Sequence, residues 1–133
     1  MYLPKRNFRR KQKRKKGSNQ AFYKSAQWKK VRKAYLSQFP ICQVAEYCGD
    51  IVPGKVIDHI IPITQGGAKF DPRNFCTMSK RIHDIKSALE QNLEGVLVDY
   101  TTNQDGDFIP VDKSKIWRAL EKRYRYESER SGV

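Results

Sequence analysis

The chain of 133 residues is long enough for one domain with a modest core, and a hydrophobic content of 38% is that of a globular protein. No apolar run approaches the length of a membrane span, and no apolar segment follows the basic N terminus as it would in a secretory signal. Three cysteines, an odd number, argue against a disulfide framework, so we expect a cytoplasmic protein with reduced thiols and no membrane partner.

The net charge of +13 is concentrated at the N terminus. The first acidic residue is Glu46, and the 45 residues before it hold 14 of the 27 Lys and Arg residues. A solvated tail is one interpretation of such a run, but like charges at this density repel each other, and a polyanionic partner explains them better. We therefore expect residues 1–20 to be a disordered basic tail that contacts nucleic acid. Its candidate contacts are Arg9, Arg10, Lys11, Lys13 and Arg14.

Residues 21–133 are predicted to form a single domain, which begins with a helix. Apolar residues recur at helical spacing over Ala21–Phe39, with lysines and an arginine between them that would face solvent or phosphate. Ser25 is the expected N-cap of this helix, and Pro40 stops it. The following segment, residues 41–54, contains two cysteines and is predicted to be a loop.

The middle of the chain is predicted to fold as strand, loop, strand and helix, a core of about residues 55–95. "KVIDHI" from Lys55 is the first strand, and "TQGGAKFDPRN" is a loop that contains two glycines. "NFCTM" is the second strand. The helix covers Ser79–Gly95, with Ser79 as its cap and Gly95 at its end.

The C-terminal part carries fewer signals. Residues 96–112 are typical of a β-hairpin or a tight loop. Within them Asn103, Asp105 and Asp107 alternate as in a calcium loop, but the rest of that twelve-position pattern is missing, which favours a turn. Residues 113–130 are predicted to form an amphipathic helix that packs on the domain.

Two polar residues, Asp58 and His59, interrupt the apolar first strand, and they are either a satisfied polar pair or part of a functional site. Both histidines of the chain, His59 and His83, fall in the central unit. Asp58 and His83 could ligate one divalent ion from opposite sides, with positions left open for phosphate and water. His59 points to the other strand face and could take a proton from water. Asn74 has a donor and an acceptor with which to fix a loop carbonyl or the base itself.

The pattern "IDHIIP…GG…DPRNF…IHDIK" resembles the HNH endonucleases, the ββα-metal nucleases, over about residues 41–90. The upstream "YKSAQWKKVRKAYLSQFPIC" is similar to the helix and "Pro-x-Cys" segment that precede the motif in this family. The resemblance implies an α+β fold, in which a small ββα-metal core of the His-Me finger type carries flanking N- and C-terminal helices. It also implies hydrolysis of DNA phosphodiester bonds to 5′-phosphate and 3′-hydroxyl ends.

The resemblance also implies a role for each site residue. His59 would activate water as the general base, and Asp58 and His83 would hold one catalytic metal ion, which could be Mg, Mn, Ni or Zn. Asn74 would orient the base or its loop, although in some members this asparagine also touches the metal. Phosphate contacts are expected from residues of the helix, and these are Lys80, Arg81 and Lys86.

The cysteines depart from the family pattern. Many members hold a structural zinc with two cysteine pairs. Here five residues separate Cys42 from Cys48, and Cys76 falls on the second strand. Ser79 and Ile82 occupy the positions of the second pair. We expect buried thiols and no structural zinc.

Small stand-alone members of this family are common in phage genomes, often beside packaging genes. The resemblance therefore implies a phage protein in the cytoplasm of a bacterial host, with packaging proteins as possible partners. Two other functions stay open at this point: a non-catalytic nucleic-acid-binding protein on a nuclease scaffold, and an RNA nuclease. The pattern predicts neither a cut-site preference nor an oligomeric state, and it is compatible with both nicking and double-strand cleavage.

Overall fold

The computed structural model describes residues 19–93 and 96–130, with the backbone alone for 127–130, and within them the fold is α+β. The tail contacts predicted at residues 9–14, and the expected disorder of the tail, lie outside the described residues. The helices are α1 (Ala26–Gln38), α2 (Gln43–Tyr47), α3 (Lys80–Gln91) and α4 (Ser114–Arg130). The strands are β1 (Val56–His59), β2 (Phe75–Met78), β3 (Tyr100–Thr102) and β4 (Phe108–Pro110).

The helix predicted over Ala21–Phe39 is divided at Ser25. The Ser25 hydroxyl accepts a hydrogen bond from the Trp28 N–H at 3.2 Å, which confirms it as the N-cap of α1. Residues 19–24 form a separate helical segment before the cap, because Ser25 has extended backbone angles. Residues 19 and 20 therefore belong to this segment, whereas the sequence assigned them to the tail.

The prediction of a loop between residues 41 and 54 is wrong in part, because this segment contains α2. A helix of five residues is too short to show a periodic pattern in the sequence. It forms because Val44 and Ala45 are fully buried. Gln43 also links it to the sheet, since its side-chain oxygen accepts from the Thr77 N–H at 2.8 Å.

Strands β1 and β2 pair in antiparallel fashion, with Asp58 opposite Cys76 and His59 opposite Phe75. The hairpin separates two groups of buried side chains. On the α1 face lie Trp28, Tyr35, Ile57 and Phe75. The larger group joins the other face to α2, α3 and α4, and it includes Val44, Ile60, Cys76, Met78, Ile82, Ile116 and Leu120. The hairpin is therefore covered on both sides by helices.

The connection from β1 to β2 contains 3₁₀ turns at Ile63–Gln65 and Pro72–Asn74. Gly66 has a φ of 92°, in the left-handed region that favours glycine. A Cβ on Gly67 would collide with the carbonyl oxygen of Ile61, so this position accepts no side chain. The two glycines let the chain fold back on itself and return to β2 at Asn74.

Helix α3 begins as predicted, because the Ser79 hydroxyl accepts from the Ile82 N–H at 3.3 Å. It buries Ile82 and Ile85 and ends at Gln91, while the predicted terminator Gly95 lies outside the described residues. Its first turns stand beside β1, and this arrangement carries His83 toward Asp58.

The C-terminal segment forms the antiparallel β3–β4 hairpin and then α4. The Asn103 side-chain oxygen accepts from the N–H groups of Asp105 and Asp107, both at 2.9 Å, so the alternating polar residues build a turn. Within the described residues no helix is both long and apolar enough to cross a bilayer.

Candidate active site

A cleft of about 530 Å³ lies between α1 and the β1–β2 hairpin. It contains three of the four residues that the sequence assigned to catalysis and metal binding: Asp58, His59 and His83. The other residues that line it are Tyr23, Trp28, Lys29, Arg32, Val56 and Ile57. The cleft therefore collects side chains from β1, from the start of α3, from α1 and from the segment before α1.

Asp58 and His83 face each other across this cleft. The Oδ1 atom of Asp58 is 3.5 Å from Nε2 of His83. The Asp58 side chain is 12% exposed and that of His83 is 35% exposed, so the pair is open on the cleft side. On the other side of the ring, His83 Nδ1 lies 3.8 Å from the Asp84 carboxylate, so Nε2 is the ring nitrogen that faces Asp58.

The pair fits a divalent metal ion. A carboxylate oxygen and an imidazole nitrogen that bind one ion at about 2.0–2.2 Å stand roughly 3.0–3.5 Å apart at bond angles near 90–110°. The observed separation of 3.5 Å falls at the upper end of that range. Across the described stretches of chain, no group of three or more His, Cys, Asp or Glu side chains is placed to hold a metal ion.

Lys86 is not an exposed phosphate contact, and that prediction needs correction. Its side chain is 1% exposed, and Nζ lies 2.9 Å from Asp58 Oδ2 and 2.7 Å from Glu90 Oε2. It also donates to the carbonyl oxygen of His59 at 3.3 Å. Burial lowers the pKa of Lys86, but the Asp58 and Glu90 carboxylates outweigh burial and raise it, so the ammonium stays charged. Lys86 thus holds one oxygen of Asp58 and leaves the other to face His83.

His59 is enclosed by aromatic rings. It is 3% exposed, and the Trp28 ring lies against it with a centroid distance of 4.7 Å and a tilt of 33°. The rings of Phe22, Tyr23 and Phe75 surround the imidazole at 5.8, 5.8 and 5.4 Å. The ring orientation is therefore set by packing from α1, from β2 and from the segment before α1.

The hydrogen bonds of His59 identify its tautomer. Nε2 lies 2.9 Å from the carbonyl oxygen of Lys69, and because a carbonyl can only accept, Nε2 carries the proton. Nδ1 is then the acceptor, and the Tyr23 hydroxyl donates to it at 3.2 Å. Burial lowers the pKa of His59 from its ordinary value, so the ring is neutral near pH 7, as a general base requires.

Asn74 does not touch His59 or the Asp58–His83 pair. It is fully buried, and its side-chain oxygen accepts from the Ile61 N–H at 2.8 Å. Its amide nitrogen donates to the carbonyl oxygens of Ile61 and Ala68, each at 3.0 Å. The sequence left three roles open for Asn74: orienting the base, fixing its loop or touching the metal. These contacts favour the second role, in which Asn74 fixes the loop that follows His59.

The cations of the site differ from those that the sequence selected. Lys80 is exposed and pairs with Asp84 at 2.9 Å. Arg81 lies over the Tyr124 ring at 5.6 Å. Neither Lys80 nor Arg81 is among the residues that line the cleft. Lys29 and Arg32 line it instead. Their spacing of three on a helix was visible in the sequence, but nothing local indicated which face of α1 meets β1.

Tyr23 is a second residue that the sequence analysis did not select. It precedes the cap of α1 and belongs to no periodic pattern, so no local signal marks it. Its bond to His59 joins residues 36 apart in the chain.

The fold is similar to that of the HNH endonuclease from the deep-sea thermophilic bacteriophage GVE2, in a crystal structure with a manganese ion. The two chains align with a TM-score of 0.55 and 28% sequence identity, over 62% of this chain and 90% of the phage chain. No protein-family model and no curated protein matches this chain. The similarity confirms the α+β, HNH-like fold and supports a nuclease activity at the level of fold.

Proposed function

We propose that this chain is a metal-dependent HNH endonuclease or nickase that hydrolyses DNA phosphodiester bonds. One observation carries the proposal: Asp58 Oδ1 and His83 Nε2 stand 3.5 Å apart in the same cleft as the neutral imidazole of His59. Such a pair could hold a divalent ion beside a general base, and phosphodiester hydrolysis needs both functions. The similarity to a phage HNH endonuclease with manganese supports it.

The residues divide the reaction between them. Asp58 and His83 would hold the divalent ion, which would polarise the scissile phosphate and stabilise the charge on the leaving oxygen. His59 removes a proton from the attacking water and becomes imidazolium, with its Nε2–H held by the Lys69 carbonyl. Lys86 keeps the Asp58 carboxylate in place through Oδ2, and Asn74 holds the loop that carries the chain away from His59.

The cations of α1 form one wall of the proposed substrate cleft. Lys29 is exposed, and the Arg32 guanidinium donates to the Lys55 carbonyl at 2.9 Å. Both could contact the phosphates beside the cut. We expect Lys29→Gln to weaken duplex binding and lower its salt dependence, whereas Lys30→Gln, one residue along the same helix and outside the cleft, has a smaller effect.

Plasmid cleavage tests the enzyme directly. Supercoiled DNA is incubated with Mg²⁺, Mn²⁺, Ni²⁺ or Zn²⁺ and with EDTA, for the wild type, His59→Ala and His83→Ala. We expect nicked or linear product that requires metal, and a large loss in both variants. Cleavage in EDTA, or full activity of His59→Ala, would contradict the proposal, and RNA cleavage without DNA cleavage would move the substrate to RNA.

The basic N-terminal residues remain a proposed nucleic-acid contact. Deletion of residues 1–16 removes nine Lys and Arg side chains. We expect this deletion to weaken DNA binding and to flatten its dependence on salt, while the rate of cleavage at saturating DNA persists. An unchanged salt dependence would exclude the tail from binding.

A further inference from the structure

Among the four rings that the described residues place around His59, Tyr23 carries the only oxygen, and it lines the same cleft as that histidine. The other three rings are Phe22, Trp28 and Phe75. The Tyr23 side chain is 42% exposed and lines the cleft, whereas His59 is 3% exposed. Because the Tyr23 hydroxyl is hydrogen-bonded to Nδ1 of His59, a water molecule in the cleft would meet this hydroxyl at the basic nitrogen.

We propose that Tyr23 is a catalytic residue, whose hydroxyl passes the proton of the attacking water to Nδ1 of His59. The inference rests on the nuclease function proposed above and assigns a new residue to it. The distance of 3.2 Å from Oη to Nδ1 allows transfer along an existing hydrogen bond, and the Lys69 carbonyl at Nε2 leaves Nδ1 as the only acceptor of the ring.

The step balances without any other reactant. One O–H bond of water breaks as its oxygen forms a bond to phosphorus, and that proton joins the Tyr23 oxygen. The bond from phosphorus to the 3′-oxygen breaks, and the leaving oxygen keeps the electron pair and takes its proton from solvent water. The original hydroxyl proton of Tyr23 moves at the same time to Nδ1 of His59. Tyr23 is neutral before and after the step, and His59 ends as imidazolium.

The surroundings suit a tyrosine that stays protonated. Burial, followed by the nearby Asp58 charge, raises the pKa of Tyr23 to about 12, so at neutral pH its hydroxyl is a donor. The Tyr23 and Trp28 rings also meet edge to face at 5.9 Å, which holds the hydroxyl toward His59.

The first test compares Tyr23→Phe with Tyr47→Phe. Tyr47 has a similar exposure of 40%, lies on α2 and packs on Trp117, away from the cleft. Single-turnover cleavage of a short DNA duplex is measured with Mn²⁺, and binding of the same duplex is measured in EDTA. We expect Tyr23→Phe to lower the cleavage rate constant at least about tenfold with unchanged binding, and Tyr47→Phe to change neither.

The second test asks whether Tyr23 acts through His59. If it does, Tyr23→Phe lowers the rate in the wild type but causes no further loss in His59→Ala. Equal losses in the two backgrounds would show that Tyr23 acts elsewhere and would overturn the relay.

The third test does not depend on activity. The chain has two histidines, so the imidazole ¹⁵N signals of the free protein are assigned with a single His83→Ala variant. We expect the proton of His59 on Nε2, and a shift of its Nδ1 signal in Tyr23→Phe while the His83 signals stay in place. A proton on Nδ1, or no shift, would overturn the proposal.

The combined results separate this inference from the proposed function. An unchanged or higher cleavage rate in Tyr23→Phe overturns the relay and leaves the endonuclease intact, and a higher rate would mean that the hydroxyl only blocks water. A wild-type protein that cuts no nucleic acid overturns both. In that case the ¹⁵N spectra still show whether the hydrogen bond between Tyr23 and His59 forms in the inactive protein.

Discussion

Asn74 and Ile61 are joined by a reciprocal pair of hydrogen bonds. The Ile61 N–H donates to the Asn74 side-chain oxygen at 2.8 Å, and the Asn74 amide donates back to the Ile61 carbonyl at 3.0 Å. The two residues are 13 apart in the chain, and the bonds close the loop between β1 and β2 directly behind His59. The position of the proposed base therefore depends on a side chain that does not touch it.

Asn74→Ala should destabilise the protein strongly. It would leave the N–H and carbonyl of Ile61 and the carbonyl of Ala68 without partners in a buried site, at a cost of about 2–4 kcal/mol in the free energy of unfolding. Asn103→Ala is the control, because Asn103 also makes three side-chain hydrogen bonds but is only half-buried. We expect it to cost about 1 kcal/mol in urea unfolding, since water replaces those bonds. Equal losses would contradict a special role for Asn74.

The two lysine–carboxylate pairs of α3 should differ sharply in energy. Lys86–Glu90 and Lys80–Asp84 share the same spacing of four, but Lys86 is 1% exposed and Lys80 is 79% exposed. Lys86→Gln would leave the carboxylates of Asp58 and Glu90 buried and unpaired, and we expect a loss of about 3–5 kcal/mol in the free energy of unfolding. Lys80→Gln should cost at most about 0.5 kcal/mol. A loss for Lys86→Gln as small as that for Lys80→Gln would mean that water reaches the buried group.

Asp71 should make stability depend on acid pH. The Arg73 side chain, with further hydrogen bonds from the Arg73 N–H and from Asn103, lowers the pKa of Asp71 from 3.8 to about 2. The unfolded chain therefore binds this proton first as the pH falls, so the stabilisation is fully present above about pH 4–5 and is lost as the pH falls through 2.

Unfolding curves between pH 6 and pH 2 would measure this effect in the wild type and in Asp71→Asn. The amide can still cap the turn at Pro72–Asn74, so the variant removes mainly the charge. We expect the wild type to have a higher free energy of unfolding than Asp71→Asn at pH 6, and this difference to disappear near pH 2. It should also shrink in high salt, because the Arg73 side chain is 63% exposed. A difference that is constant with pH would rule out the carboxylate charge as its source.

The three thiols should be inert in the native protein. Cys42 and Cys76 are fully buried and Cys48 is 9% exposed, and burial raises the pKa of Cys48 and takes that of Cys76 to about 12. Because the thiolate is the reactive form, iodoacetamide at pH 8 should modify none of them within the time that labels a free thiol, and all three after unfolding. Mass spectrometry counts the adducts. Rapid labelling of Cys76 would contradict its burial, whereas slow labelling that starts at Cys48 would agree with the small exposure there.

The sequence by itself determined the order and local form of the site. Strand alternation separates Asp58 from His59, the hydroxyls of Ser25 and Ser79 begin the two helices that flank the hairpin, and the helical spacing puts His83 near the start of α3. These features depend on neighbours within about four residues, and periodicity and capping encode such contacts directly.

Only the tertiary structure decided which polar groups are buried and what they contact. The sequence around Lys86 is typical of a helix position with a solvated charge. In the structure Lys86 is buried, because it forms an ion pair with Asp58, which lies on a strand 28 residues earlier. Tyr23 reaches His59 from 36 residues away, and the cleft face of α1 is defined by packing on β1. A buried charge or hydroxyl is stable only when a distant element supplies its partner, and a local sequence pattern does not contain that partner.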